Sequence, residues 1–191
     1  MYLTVSTPPA VTPVTLTQAK AQLRVTWDDE DVHITSCINH ATAVTETIQR
    51  RSIINRTYKL LIDNFDYETR LPMPPLVSVT SIKYYDVDGV QQTLSDSEYQ
   101  VVLHDSVPFV TPSVDGSWPA TDGRRNAIEI VYIAGYGESN DDIPKDTEAG
   151  ILKLVSDGYE HRESEIVGVM TMSMKRTADS LIRMNKVPRI S

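Results

Sequence analysis

Residues Leu71-Pro-Met-Pro-Pro-Leu-Val-Ser-Val-Thr-Ser-Ile-Lys-Tyr-Tyr-Asp-Val-Asp-Gly89 lie where the chain has left helical periodicity for the alternating pattern of strands. The prolines at its start are incompatible with a helix or a central strand, so they predict an extended, rigid lead-in. A strand is predicted to follow over 78–86, and Asp88-Gly89 is a turn signal. Other alternating segments predict strands over 57–63, 99–103 and 126–134.

Helical spacing occupies the sequence on both sides of this β-rich segment. Helices are predicted over 16–25, 29–51 and 145–163, with a last short helix near 177–184. In the second helix Ile34, Ile38 and Ala41 mark the buried stripe. Cys37 is expected to be a small buried side chain in that stripe, and Thr45 and Gln49 are expected on the outward polar face.

The predicted fold class is α+β: a helical bundle formed by the N- and C-terminal helices, with an inserted small antiparallel β-rich domain. Pro8, Pro9 and Pro13 favour an extended arm at the N-terminus, free to lie on a neighbouring subunit or ordered only locally. The predicted boundaries are an extended arm over 1–14, a bundle over 15–55 and 140–180, the β-rich domain over 56–139 and a C-terminal tail over 181–191.

Composition limits the classes of partner. The 191 residues carry a formal net charge of −8, which argues against tight binding to a phosphate backbone. No apolar run reaches the roughly 18 residues that span a bilayer, so no membrane association is predicted. The N-terminus lacks the basic and apolar regions of a secretory signal. Cys37 is the single cysteine, which excludes an intramolecular disulfide.

The search for catalytic chemistry finds no spacing that a mechanism requires. Nucleophile elbows, metalloprotease helices and Walker loops are all missing from the sequence. Gly135-Tyr-Gly137 indicates a turn at the end of a strand, because a phosphate loop needs a third glycine and a helix directly behind it. The acids at 28–31 are explained by the start of a helix. The prediction is therefore a protein that is not an enzyme, with no catalytic residue, no cofactor and no metal site.

Five segments, in their order along the chain, resemble the head–tail connector (adaptor) proteins of tailed bacteriophages. The resemblance covers about residues 15–165, and one departure from it is Gly150, where the family usually has alanine in a helix. The matching positions are Leu16, Ala19, Lys20, Leu23, Arg24 and Val25; Leu71, Pro72, Pro74, Pro75, Leu76, Ser78, Val79, Ile82, Tyr84, Asp86 and Gly89; Tyr132, Ala134, Gly135, Tyr136 and Gly137; and Pro144, Ile151, Leu152, Tyr159, Arg162 and Glu163.

The resemblance implies a structural protein of the virion neck, assembled in the host cytoplasm. It implies a homo-oligomeric ring, a dodecamer, which docks beneath the portal protein and extends the DNA channel to a stopper or tail-completion protein. Double-stranded DNA would pass through the lumen without specific binding. Ring neighbours would meet through heterologous faces, for which the bundle and the N-terminal arm are the candidates.

Contact residues follow from the same resemblance. Connectors of this family grip the portal with the C-terminal segment, and residues 175–191 suit that role because they are basic and apolar in an acidic chain. The expected portal contacts are Lys175, Arg176, Arg183, Met184, Val187, Arg189 and Ile190. The Pro- and Gly-containing stretch 104–125 is predicted to be a long loop or a short pair of edge strands. It is the candidate contact with the stopper or tail, through Trp118, Asp115 and Arg124. Trp118 is equally compatible with packing into the small β core.

Two other functions stay open at the level of the sequence. The β-rich domain could be a binding module for a carbohydrate or a host protein. An exposed row of the tyrosines at 84, 85, 99 and 132 would favour that alternative. An enzyme with an unrecognised site would instead show a deep pocket with convergent polar groups.

Overall fold

The computed structural model describes residues 1–161 and 178–188, which mix helices with antiparallel sheets. The α+β class predicted from the sequence is therefore confirmed. The chain divides into two compact units. Unit 1 comprises Met1–Pro9 and Asn55–Tyr136, and unit 2 comprises Ala10–Ile54 and Gly137–Ser191.

Unit 1 is built from two antiparallel sheets. The first has the strand order β1-β2-β8-β4-β5, and the second has the order β3-β7-β6. In β8 every second side chain is buried, as the alternating sequence predicts, and these side chains form the centre of the core. The strands are β1 (Tyr2–Thr7), β2 (Arg56–Ile62), β3 (Thr69–Arg70), β4 (Leu76–Tyr85), β5 (Gln91–Thr93), β6 (Tyr99–Val102), β7 (Phe109–Pro112) and β8 (Ile128–Ala134).

The proline-rich lead-in to β4 differs from the expected extended segment. Met73 adopts a left-handed φ of 61°, so the chain turns here instead of running straight. Tyr132 of β8 fixes the turn, since its buried hydroxyl donates a hydrogen bond of 2.8 Å to the carbonyl of Pro72. Burial, with Tyr58 stacked beside it, raises the pKa of Tyr132, so the hydroxyl keeps its proton and remains a donor.

The stretch 1–14, predicted as an arm, is extended only in part. Tyr2–Thr7 pairs antiparallel with β2 of its own chain and forms an edge strand of the large sheet. Val14 is fully buried in the core of unit 2. Most of this stretch is therefore committed to the fold of its own chain.

Unit 2 is helical. The helices among its described residues are α1 (Leu16–Leu23), α2 (Asp31–Gln49), α3 (Lys145–Glu160) and α4 (178–183), and a 3-10 turn lies at Asn140–Asp142. Thr15 caps α1 in a reciprocal capping box: its hydroxyl accepts from the Gln18 N–H at 3.1 Å, and the Gln18 side chain accepts from the Thr15 N–H at 2.8 Å. The core is formed by Val14, Ala19, Val25, Ile34, Ile38, Ala41, Ile53, Ile54, Ile143, Ile151 and Val155.

The predicted outward face of α2 is wrong at its C-terminal end. Thr45 and Gln49 are both fully buried. Thr45 is satisfied inside the helix, where its hydroxyl donates 2.8 Å to the carbonyl of Ala41, whereas Gln49 bonds to other elements of unit 2. Cys37 departs from its predicted burial as well, since it is only half-buried.

Gly150, where the resemblance leads to alanine, lies in the middle of α3. A β-carbon at this position would be only 2.9 Å from Cγ1 of Ile182 in α4. Ile182 is itself fully buried. Glycine is therefore explained by the close approach of α4, which offsets its helix-propensity penalty of about 1 kcal/mol.

Candidate interaction surfaces

Residues 178–188, named here the strap, comprise α4 and the five residues after it, and a buried polar seam holds them in unit 2. The seam centres on Gln49 at the end of α2, whose side-chain amide donates 3.0 Å to the Thr147 hydroxyl and 3.0 Å to the Ile182 carbonyl. The backbone carbonyl of Gln49 accepts from the Val187 N–H at 2.9 Å. The strap is thereby bonded at both its helix and its extended end.

A second group of bonds fixes the middle of the strap. Arg51, only 4% exposed, donates from Nε to the Asn185 carbonyl at 2.7 Å. The Asn185 amide then donates 2.7 Å to the Asp146 carboxylate and 3.2 Å to the Thr147 hydroxyl. Hydrogen bonds that involve charged groups are about twice as strong as neutral ones. The strap is thus part of the folded unit in this structure.

The predicted portal contacts separate into three groups. Val187 is buried within unit 2 and does not face outward. Arg183 and Met184 are exposed; Arg183 pairs with Asp179 at 2.6 Å, which raises the pKa of the guanidinium, and Met184 is 72% exposed. The remaining predicted residues, Lys175, Arg176, Arg189 and Ile190, lie outside the described residues.

The β4–β5 turn of unit 1 forms a second surface, which we call the turn tip (residues 85–92 and 122–127). Asp86 organises it: one carboxylate oxygen accepts from the N–H groups of Asp88 at 3.0 Å and Val90 at 2.9 Å, and the other accepts from Gln92 at 2.8 Å. These bonds, first among them that from Gln92, lower the pKa of Asp86. The turn is therefore held in one shape while the Asp86 carboxylate is ionised.

Arg124 joins the loop 122–127 to this turn. Its guanidinium lies 4.0 Å above the ring of Tyr85, and its Nε pairs with Asp122 at 2.5 Å. Val87 and Val90 project from the turn and are 65% and 55% exposed. The sequence interpretation included Arg124 but missed the two valines, although apolar residues inside an Asp-Gly turn were a usable signal. The turn tip therefore presents two apolar side chains on a hydrogen-bonded turn.

Trp118 packs in unit 1. Its ring stacks on Phe65 with centroids 4.3 Å apart, and its indole N–H donates 2.8 Å to the carbonyl of Asp66. It also contacts the β core. Of the two roles left open by the sequence, the structure shows packing into the small β core, while Asp115 nearby is exposed.

The four tyrosines that a binding module would display do not form an exposed row. Tyr132 is fully buried and Tyr99 is 8% exposed. Burial and a hydrogen bond to Asp96 raise the pKa of Tyr99 to about 12. Tyr84 is half-buried, and Tyr85 lies beneath Arg124. The feature that would favour carbohydrate recognition is therefore not observed at these positions.

The thiol, imidazole and phenol side chains of Cys37, His33 and Tyr159 lie close together in unit 2. Cys37 Sγ lies 3.8 Å from His33 Nε2, and the ring of His33 lies 5.8 Å from that of Tyr159. The hydroxyl of Tyr159 donates to Glu30. Within residues 1–161 and 178–188 no three His, Cys, Asp or Glu side chains are grouped to hold a metal ion. None of the helices in the described ranges has the length and apolarity needed to cross a bilayer.

Comparisons with known proteins find the same fold in gene transfer agent (GTA) particles. A chain in the neck of the empty GTA particle, with C6 symmetry, superposes at a TM-score of 0.83 and 22% identity. A chain in the virion of the native GTA particle gives 0.82 and 21%, and one in the native neck, with C12 symmetry, gives 0.79 and 22%. Each match covers 100% of this chain and 98% of the other. No protein-family model and no curated protein matches.

Proposed function

We propose that this chain is a structural protein of a virion neck, where it forms a homo-oligomeric ring. The observation that carries the proposal is the fold, which extends over the whole chain and is shared with chains from GTA necks of C6 and C12 symmetry. Twelve copies per ring are consistent with the second of these symmetries. A structural role also agrees with packing functions for the Cys37, His33 and Tyr159 side chains.

The finer proposal is that of an adaptor, which joins the portal protein above to a stopper or tail-completion protein below. The proposed portal contact includes Arg183 and Met184 on the exposed side of the strap. Its further proposed members, which lie outside the strap, are Lys175, Arg176, Arg189 and Ile190. Val187 would support this contact from within by anchoring the strap to Gln49. The turn tip with Arg124, together with Asp115 and the loop around Trp118, is the proposed contact with the component below.

The arrangement of the chain is part of the same proposal. Unit 2 is formed by sequence on both sides of most of unit 1, which is the order expected of a helical bundle with an inserted β-rich domain. The net charge of −8 argues against tight binding to the DNA that would pass through the ring. Assembly would take place in the host cytoplasm, and the mature location would be the neck of the virion.

The test is co-assembly with the cognate portal ring, observed by electron microscopy. Because the strap is folded into unit 2, surface substitution is preferable to truncation. We expect the wild type to add a ring beneath the portal and the double variant Arg183→Glu/Met184→Gln to fail, because it places an acid and a polar amide where cationic and apolar contacts are needed. Lys153→Glu, at an exposed position of α3, is the control for the change in charge.

The outcomes separate the levels of the proposal. A wild-type protein that forms no ring, with or without the portal, contradicts the neck function. A ring that forms and docks equally well with the double variant contradicts the strap as the portal contact and leaves the ring in place. Loss of docking with Lys153→Glu as well would show that net charge, and not the strap, determines the result.

A further inference from the structure

The exposed side of α2 is the longest uncharged helical surface among the described residues. This α2 outer face contains no Asp, Glu, Lys or Arg over four turns, and Val32 at its N-terminal end is 85% exposed. A helix face directed to water normally carries charged side chains. The outer face consists of Val32, Thr35, Ser36, Asn39, His40, Ala43 and Thr47, all of them exposed.

An aromatic corner adjoins the N-terminal end of this face. Trp27 is 52% exposed, and its indole N–H donates 3.4 Å to a carboxylate oxygen of Glu30. The same oxygen accepts a hydrogen bond from the hydroxyl of Tyr159, whose ring lies beside that of His33. One carboxylate therefore orients two aromatic side chains. Aromatic anchors that are already oriented lose little conformational entropy when a partner covers them.

The distribution of charge argues for the kind of partner. The chain carries a net charge of −8, so a contact surface without acidic side chains reduces the repulsion between two copies. The other long helix of unit 2 does not offer such a place, because the exposed positions of α3 include Lys145, Lys153 and Glu160. The seven residues of the α2 outer face bring no like charge to a contact with a second acidic copy, and none of them is an ionised group that must be desolvated.

We infer that the α2 outer face with its aromatic corner is the surface that receives the neighbouring copy of this chain in the ring. The inference rests on the ring put forward under Proposed function and adds to it the residues of the contact. In a ring of cyclic symmetry the contact is heterologous, so this face meets a different surface of the next copy.

The size of the surface indicates a contact that needs the closed ring. A face of four helical turns is roughly 23 Å long and about 10 Å wide, or about 230 Å². Partial burial of Trp27 and Tyr159 adds about 200 Å², since a fully buried aromatic side chain contributes roughly 150–250 Å². The sum is about half of the roughly 800 Å² that each partner buries in a standard interface. One contact is therefore weak, and closure gives every copy two.

The experiment measures self-association of the full chain by sedimentation velocity and small-angle X-ray scattering, up to a concentration of about 1 mM, where contacts of millimolar Kd become visible. Two variants place opposite charges at the centre of the face, Ala43→Glu and Ala43→Lys. Both residues are good helix formers, so circular dichroism should show an unchanged monomer. Lys153→Gln and Glu160→Gln change the net charge by the same amounts on α3 and serve as matched controls.

We expect both Ala43 variants to weaken association at least tenfold, and both controls to associate like the wild type. Rings that form normally from either Ala43 variant overturn the inference and leave the ring intact. The inference is also overturned if Ala43→Glu and Ala43→Lys change association in opposite directions and the two controls show the same opposite changes. That result would show that net charge, and not a covered face, determines association. Rings of Ala43→Glu that no longer join the portal would assign the face to another neck protein. A wild type that remains monomeric at every concentration and also adds no ring to the portal contradicts the ring itself.

Discussion

Replacement of Ile182 by alanine tests whether the strap is a structural part of unit 2. Ile182 is fully buried, and its side chain occupies the space above Gly150. Truncation of a buried isoleucine to alanine costs about 2–5 kcal/mol, with the larger values where the site cannot collapse. Gly150 has no side chain to move into the space, so we expect a loss of about 3–4 kcal/mol. A tail held only by surface contacts would lose less than about 0.5 kcal/mol.

The same contact predicts a reversal of sign in a double-mutant cycle. In the wild type, Gly150→Ala gains about 1 kcal/mol of helix propensity but forces its β-carbon to 2.9 Å from Ile182 Cγ1. Overpacking of this kind costs about 1–3 kcal/mol, so the net effect is destabilising by up to about 2 kcal/mol. In the Ile182→Ala background the obstacle is gone, and Gly150→Ala should stabilise by about 1 kcal/mol.

Far-UV circular dichroism at the helical wavelength is the assay, because unit 2 holds the described α-helices. A loss of 3 kcal/mol lowers Tm by roughly 6–12 °C in a chain of this size. Met184→Ala, at a neighbouring exposed position, is the control and should change stability by less than about 0.5 kcal/mol. Equal, small effects of Ile182→Ala and Met184→Ala would refute the docked strap. Additive effects of Gly150→Ala and Ile182→Ala would refute the close approach.

Two further predictions concern unit 1. Hydrogen bonds from Gln92 and Val90 lower the pKa of Asp86, so its stabilising contribution is present above the unfolded pKa of about 3.9 and is lost as pH falls through the folded value. Asp86→Asn should therefore lower Tm at pH 7, and its difference from the wild type should narrow below about pH 4; a constant difference would argue against the carboxylate. Trp118→Phe keeps an aromatic ring but loses the bond to the Asp66 carbonyl, which should cost the isolated chain about 0.5–1.5 kcal/mol in urea unfolding. An unchanged urea midpoint would contradict a stabilising role for Trp118 and leave only the proposed docking role.

The sheet of unit 1 shows what the sequence can predict. β8 alternates apolar and polar side chains without interruption, and its observed burial alternates in the same way. That pattern is local, because period two is a property of the strand itself. The short strand β7 was harder to predict from the sequence, because it lies within the Pro- and Gly-containing stretch 104–125, which was predicted to be a loop or a pair of edge strands. Its identity depends on pairing with β3 and β6, which is a non-local property.

The buried end of α2 shows where prediction failed. Thr45 and Gln49 are polar, and their types place them on a solvated face when the helix is considered alone. Their burial follows from partners far away in sequence: Gln49 bonds to Thr147 and Ile182, which lie 98 and 133 residues further on. Periodicity carries no information about partners at such distances. The glycine at 150 was the local signal, since an unfavourable residue inside a predicted helix often marks a close approach.

The polar character of the seam has a consequence for the proposed portal contact. Apolar packing alone would specify the register of the strap less strictly, because dispersion contacts are not directional. The amide of Gln49 and the guanidinium of Arg51 instead donate to the carbonyls of Ile182 and Asn185, and a shift would leave buried donors without acceptors. The seam thus fixes the register of the strap. With that register Ile182 points inward while Arg183 and Met184 are exposed, so the residues buried in unit 2 determine which strap residues a neighbouring ring can reach.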